Sequence, residues 1–447
     1  MTSTQLSDTA LADLREIADL ELIEKLAERE HFSKDAFEYS PVLIPQLKDC
    51  LADVVVRPLT VNAVEAVAGV CFRHQLPLTM RGSGTGNYGQ SVPLKGGLVM
   101  LMGALNQMLH YDSSTGVVTV QPGCFLRDLD QQLAQKGRQL RLMPSTWRTA
   151  TVGGFIAGGS GGIGSVRWGF LRDPGHLLGM HMVAIDSEHK EQYLSALEAQ
   201  ALNHAYGTNG IITALKLSTA PAVQWHEVCI DCQTWADAVS LLKDCVGSAV
   251  DLHLCSLLER PIVDQLPKWC GSSAGQHRLL FLVAPDGVST LEELAQKAGA
   301  TFTLVGVERL SLAGLRELTW NHTTLHMRAA DPAWTYLQML LPQPELPAME
   351  ALKQQWGDNL LWHLEAVRQR GGTRLAALPL VRWQGLEALE RLMEHCRQLG
   401  ALIFNPHVIT VEDGGLGVVD GDQVAAKHRH DPLGLLNPGK LKGWSAR

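Results

Sequence analysis

The spacing of apolar side chains changes character several times along the chain. Leu11, Leu14, Ile17, Leu20, Ile23 and Leu26 recur at steps of three, which predicts a helical stripe and makes residues 1–48 an N-terminal helical arm. From Ala52 the pattern tightens. Ala52–Pro58 predicts a short buried strand, Asn62–His74 carries helical spacing, and Leu78–Arg81 predicts a second strand. This β-α-β unit delivers the chain to a glycine-rich loop at Gly82. Gly116–Gly123 predicts a strand closed by a turn, with a helix near Leu126–Gln135. After Pro221 the texture changes again. Trp225–Cys232, Asp251–Leu258 and Leu279–Ala284 predict strands, and Thr234–Lys243 and Thr290–Lys297 predict helices. This gives an α+β region over 222–400, after a unit at 49–221. Leu402–Phe404 and Val408–Val411 return to strand texture in a final segment, 401–447. No internal repeat interrupts this order.

At 447 residues, 46% apolar and 19% charged, the chain can bury large cores and is not a disordered one. Its formal charge of −8 excludes a nonspecific nucleic-acid partner, which requires a basic surface. No apolar run reaches the roughly 18 residues of a membrane helix, and the N-terminus carries Asp8, Asp13, Glu16 and Asp19 where a secretory leader would be basic, then apolar. Nine cysteines without a framework fit a reducing, cytoplasmic setting. The lone CxxC, Cys229-Ile-Asp-Cys232, lies in a strand-like stretch with no second pair, so buried thiols explain it better than zinc or redox chemistry.

Glycine is distributed unevenly. Residues 81–103 hold seven and residues 151–180 hold ten of the 42 in the chain. Clustering of so costly a residue implies tight turns or close backbone approach to a ligand. Gly84-Thr-Gly-Asn-Tyr-Gly89 matches the dinucleotide GxGxxG pattern, as does Gly159-Ser-Gly-Gly-Ile-Gly164. Neither opens directly into a helix, and Pro93 with Gly96 and Gly97 forbids one after the first, so a nicotinamide Rossmann domain is rejected. What remains is two loops, about 70 residues apart, whose amides can nest phosphate oxygens. Ser83, Thr85 and Ser160 add hydroxyls. Their convergence would suit a large dinucleotide such as FAD; separately they are tight turns.

Arg81-Gly-Ser-Gly-Thr-Gly-Asn-Tyr-Gly-Gln90 resembles the first FAD loop of the PCMH-type FAD-binding domain, the vanillyl-alcohol oxidase/p-cresol methylhydroxylase superfamily. Pro144-Ser145, Ala150–Gly154, Gly161-Gly162 and Trp168-Gly169 resemble its second segment, and Gly207–Thr213 its closing strand. Asp431-Pro432 and Asn437-Pro-Gly-Lys440 resemble the tail of its FAD-linked oxidases and D-2-hydroxy-acid dehydrogenases. The resemblance implies an α+β fold: a PCMH-type FAD-binding domain of two α+β subdomains with an α+β cap, or substrate, domain. It implies that Arg81, Gly82, Ser83, Gly84, Thr85, Gly86, Gly89 and Gln90 line the pyrophosphate. Pro144, Ser145, Thr151, Gly153, Gly154, Gly161 and Gly162 would follow the adenosine and flavin edge. Gly210 and Ile211 would approach adenine or ribose, and Asn437 and Lys440 would close over the flavin. Thr85 stands where covalent members often carry a flavin-linked histidine, and residues 151–180 lack cysteine, so noncovalent FAD is expected. The Gly-Glu-His-Gly signature of many glycolate and lactate dehydrogenases is absent.

Dehydrogenating an alcohol requires a base for the hydroxyl proton, and arginine would clamp a substrate carboxylate. Trp320-Asn321-His322-Thr-Thr-Leu-His326-Met-Arg328 is the densest constellation. If helical, His322 and His326 share a face. They suit a base and its partner, or a metal pair still lacking a third ligand, or a plain polar face; no metal is assigned. His407, on the segment returning from the cap, is a second candidate base. Arg382 lies in an alternating apolar run, turned either to solvent or into the pocket. His428 and His430, beside Lys427, read as solvated tail residues. The expected function is dehydrogenation of a small alcohol or 2-hydroxy acid by hydride transfer to flavin N5. The rivals are an oxidase of the same fold and a flavin-binding electron-transfer subunit. Expected partners are a small-molecule substrate and an acceptor left open between a quinone, a soluble carrier, a partner subunit and O2.

Overall fold

The computed structural model describes residues 6–267 and 275–445. Four sheets form the frame. The first joins β1 (Leu20–Ile23), β2 (Val54–Pro58), β3 (Leu78–Arg81) and β4 (Leu98–Leu101) in the order β1-β2-β4-β3. β2 and β3 run parallel to β4, and β1 lies antiparallel on β2. The helix Val61–His74 makes the crossover from β2 to β3. Thr60 caps its start by accepting the Ala63 amide, and Gln75 ends it in a left-handed conformation.

The second sheet joins β5 (Met108–Asp112), β6 (Val117–Val120), β7 (Arg138–Leu140), β8 (Leu177–Val183), β9 (Glu191–Ser195) and β10 (Ile211–Pro221). Its core takes in the helices Leu126–Ala134 and Val152–Gly158. The third is an antiparallel eight-stranded sheet of β11 (His226–Cys232), β12 (Leu252–Leu258), β13 (His277–Val283), β14 (Thr301–Val307), β16 (Gln338–Leu340), β18 (His363–Gln369), β19 (Gly372–Ala377) and β21 (Leu402–Phe404). A small sheet of β15 (Trp334–Tyr336), β17 (Leu360–Leu361) and β20 (Leu380–Arg382) lies beside it. Alternate side chains of β11–β13 enter two different cores. Val228, Ile230, Leu279 and Phe281 face the helices Trp235–Gly247 and Val288–Lys297, whereas Cys229, Leu258 and Leu280 face Leu315, Leu318 and Met327. Leu254 and Leu282 join the core of the second sheet, so the cap packs directly on that layer.

Three local expectations are corrected. The residues of the N-terminal stripe do not form one helix. The helix Asp8–Arg15 ends, Asp19 turns at φ +57°, and Leu20–Ile23 pairs with β2 before a second helix, Leu26–Phe32. A four-residue strand with a ready edge to pair against outcompetes a period-three pattern. Val408–Val411 is not a strand; Thr410 starts a helical turn, Val411–Gly414, whose first amide donates to the Lys440 carbonyl. Cys229 and Cys232, three residues apart in β11, face opposite sides of the sheet and form no joint site.

The tail returns to the first sheet. Leu436 bridges Leu78 in parallel, and the Asn437 amide donates to the Leu78 carbonyl. Lys427 is buried with Asp431, which also accepts the Leu435 and Leu436 amides. His430 is buried too, its Nδ1 2.9 Å from the Asn209 carbonyl. His430 is therefore a packing group and not a solvated tail residue, and Lys427 is buried beside it.

Candidate functional site

A cleft with about 1420 Å³ of space, mouth included, runs between the two glycine clusters and under the cap. Its floor is the loop after β3. Gly84 and Gly89 adopt φ +71°, and a methyl group on Gly84 would fall 2.2 Å from the Arg81 guanidinium. The Ser83, Gly84, Thr85 and Gly86 amides make no hydrogen bond within the described protein, so they are free to serve a ligand in the cleft. The opposite wall begins at Thr151, which caps the helix Val152–Gly158 by accepting the Gly154 amide. The two walls touch: a methyl group on Gly82 would lie 2.3 Å from Thr151 Oγ1, and one on Gly162 would lie 2.1 Å from the Met143 carbonyl oxygen. Glycine is thus a steric condition of this cradle.

Gly82, Ser83, Gly84, Thr85, Gly86, Gln90, Pro144, Ser145, Thr151, Gly153, Gly154, Gly161, Gly162 and Gly210 all line the cleft. Five other expected residues do not. Ile211 points into the core of the first sheet, and its neighbour Ile212 takes the wall position, because side chains alternate along β10. Arg81 lies behind the loop, donating to the Lys34 carbonyl, Ser91 Oγ and the Ser83 carbonyl. Asn437, at φ +40°, donates to the Gln90 and Tyr206 carbonyls. Lys440, fully buried, donates to the carbonyls of Gly89, Gln90 and Val92. Asn437 and Lys440 therefore brace the loop from outside instead of closing over a ligand, and Gly89 supplies one of the braced carbonyls. Burial pulls the Lys440 pKa down against the pull of Asp35, whose own carboxyl is raised by burial. Asp35 accepts the Phe37 and Ser91 amides, and the Ala36 amide donates to the Gly86 carbonyl.

The cap contributes Trp320, Asn321 and Gln338 to the wall, opposite Asn87 and Tyr88. Asn87 Nδ2 donates to the Tyr336 hydroxyl at 2.6 Å. Trp320 sits at φ +52°, held there by its amide donating to the buried carboxylate of Glu365 at 2.7 Å. Of the candidates in this cluster, His322 is the nearest in sequence to the wall. Its Nδ1 lies 3.2 Å from Glu317 Oε2, and Arg148 Nε donates to the other oxygen of that carboxylate at 2.7 Å. Burial works to raise the Glu317 pKa, but His322 and Arg148 outweigh it and hold the carboxyl below its ordinary value.

His322 and the other polar candidates all lie off the cleft wall. His326 Nε2 is 2.8 Å from the Glu317 carbonyl. Arg328 donates to the carbonyls of Pro332, Trp334 and Glu38, tying the cap helix to the N-terminal arm. Arg382 is about half exposed and paired with Asp331. His407 is buried between Ser40 Oγ (2.7 Å) and the Tyr336 carbonyl (2.9 Å), and burial lowers its pKa to about 4. Sequence reasoning missed Asn87, Tyr88, Asn321 and Gln338. Asn87, Tyr88 and Asn321 stood inside quoted motifs, but nothing in the pattern set them apart from their neighbours. Among the described residues no three histidine, cysteine or acidic side chains gather as a metal site, and no helix is long and apolar enough to cross a membrane.

A family model described as an FAD binding domain matches residues 52–191. The glycolate oxidase subunit GlcD of Bacillus subtilis is 32% identical over 34% of this chain and 31% of its own length. The D-lactate dehydrogenase of Anaerostipes hadrus is 32% identical over 38% of this chain and 37% of its own. The chain thus spans about a third of the length of these relatives. An alkyldihydroxyacetonephosphate synthase structure superposes with a TM-score of 0.77 at 16% identity, covering 98% of this chain and 86% of that one. A Physcomitrella patens BBE-like 1 variant gives 0.67 at 14% identity, covering 96% and 98%. These structural likenesses establish the shared α+β fold.

Proposed function

Because the chain belongs to the PCMH-type superfamily of FAD-linked oxidoreductases, we propose that it is an FAD-dependent dehydrogenase of a small hydroxyl-bearing substrate, an alcohol or a 2-hydroxy acid. The observation that carries this reading is the contact of the two glycine walls at Gly82 and Thr151 beside four unengaged amides. Ser83 to Gly86, with Thr151, Gly153 and Gly154, would hold the diphosphate through main-chain donors and hydroxyls. FAD, when bound, supplies the two-electron acceptor. The wall carries neither histidine nor cysteine among its described residues, which supports noncovalent binding.

His322 is the proposed base. Glu317 accepts a hydrogen bond from its Nδ1–H, which leaves Nε2 with a lone pair for the substrate hydroxyl. Arg148 fixes that carboxylate by donating to Glu317 and to the Leu310 and Leu312 carbonyls. Trp320, locked by Glu365, gives the cap side of the cleft an aromatic wall. The relatives include a glycolate oxidase subunit as well as a D-lactate dehydrogenase, so the choice of a dehydrogenase over an oxidase is part of this proposal. The test is a visible spectrum of the purified protein, followed by acid precipitation. A flavin spectrum whose chromophore passes into the supernatant supports the reading. A colourless protein that cannot be reconstituted with FAD refutes it, and flavin left in the pellet refutes noncovalent attachment.

A further inference from the structure

The cleft wall contains no aspartate, glutamate, lysine, arginine or histidine among the described residues. Its polar groups are main-chain amides, hydroxyls, the carboxamides of Asn87, Gln90, Asn321 and Gln338, and the indole of Trp320. The cations that surround it are already committed. Arg148 spends its guanidinium on Glu317 and two carbonyls, Arg328 on three carbonyls, and Lys440 on three carbonyls of the loop. Arg81 is turned away toward Lys34 and Ser91, and Arg316 is paired in the interior with Glu308. His322 is engaged with Glu317. A carboxylate drawn in beside Asn321 and Gln338 would lose its water and meet no cation.

The same wall has vacancies for neutral partners. Asn321 Oδ1 and Trp320 Nε1 are buried atoms with no hydrogen-bond partner among the described residues. One accepts and the other donates, which is what a hydroxyl or a carboxamide requires. We propose, resting on the FAD-dehydrogenase reading above, that the substrate is an uncharged hydroxyl compound and not a 2-hydroxy acid, recognised by Asn321, Trp320 and Gln338. The step balances without a carboxylate: the C–H hydride leaves to bound FAD, the O–H proton to His322, and an uncharged carbonyl product remains.

The test titrates the FAD-loaded protein with matched ligand pairs, lactate against lactamide and mandelate against mandelamide, reading the flavin difference spectrum. The expected result is at least about tenfold tighter binding of each amide than of its acid, a preference that Gln338→Arg reverses by giving the wall a cation. Acids binding wild type as tightly as their amides, or no response to any neutral ligand, overturns the inference while leaving the dehydrogenase reading standing. A protein that takes up no FAD overturns that reading and the inference with it.

Discussion

Replacing Lys440 with methionine tests whether the cradle is held from outside. Lys440 Nζ is the shared donor for the carbonyls of Gly89, Gln90 and Val92, and no water reaches it. Methionine fills a similar volume but donates nothing. The buried Val92 carbonyl would then go unmet, at about 1–3 kcal/mol, while the Gly89 and Gln90 carbonyls would keep only the Val92 amide and Asn437 Nδ2. Asp35 would also lose the cation that offsets its burial. Some carbonyls can rotate toward water, so the net loss should fall near the ~3–5 kcal/mol seen when a buried ionic partner is removed. That loss falls on the segment that presents Gly84 to Gln90 to the cleft. At about 1.4 kcal/mol per decade, FAD affinity should drop by roughly 10²–10⁴. The assay is flavin-fluorescence quenching as FAD is titrated into apo-protein, with circular dichroism to confirm that the cap sheet persists. A folded Lys440→Met protein whose FAD affinity stays within threefold of wild type would refute the bracing argument.

Gly84→Val should lose FAD while keeping its secondary structure, because φ +71° and the Arg81 guanidinium both oppose a side chain there, at about 1–3 kcal/mol of strain; full flavin occupancy would show that this loop does not hold the cofactor. His407, lowered to about 4, binds its proton less readily folded than unfolded. Its contribution is therefore full above the unfolded value and is lost as pH falls through the window from about 6.5 to about 4, by up to about 1.4 kcal/mol per unit. Denaturant melts of wild type and His407→Gln should converge across that window, and parallel curves would refute the assignment. His322→Ala should keep FAD bound yet slow anaerobic flavin reduction by about 10²–10⁴. Glu317→Gln should slow it less and shift the pH profile, whereas unchanged rates in both variants would remove this pair from the chemistry.

The glycine cradle was legible in the sequence because its steric demands leave a compositional trace. Only glycine tolerates Gly162 beside the Met143 carbonyl or Gly84 at its positive φ, and such residues had to cluster. The cap side was less legible. Arg328 was singled out for its place in a dense polar cluster, and Arg382 because a cation in an apolar run looks purposeful. Carbonyls left over at helix and strand ends can claim a guanidinium just as well, and Arg328 serves three of them. Asn321 and Gln338 are ordinary polar residues locally, and only the packing of β16 and the cap helix makes them wall. Leu20–Ile23 went to the wrong structure because its strand partner, β2, lies over thirty positions onward, beyond any local window.

The brace behind the cleft also sets a clock on synthesis. Gln90 and Lys440 stand 350 residues apart in the chain, and the loop they share is unsupported until both exist. At roughly 5–20 residues per second, a ribosome takes roughly 20–70 s to cover that interval. The first sheet and its glycine loop leave the exit tunnel well before that, but the nest cannot be secured until the segment from Leu436 to Lys440 docks beside β3. Nascent chains that stop short of Lys440 should therefore carry no flavin, and cofactor capture waits for that segment to be made.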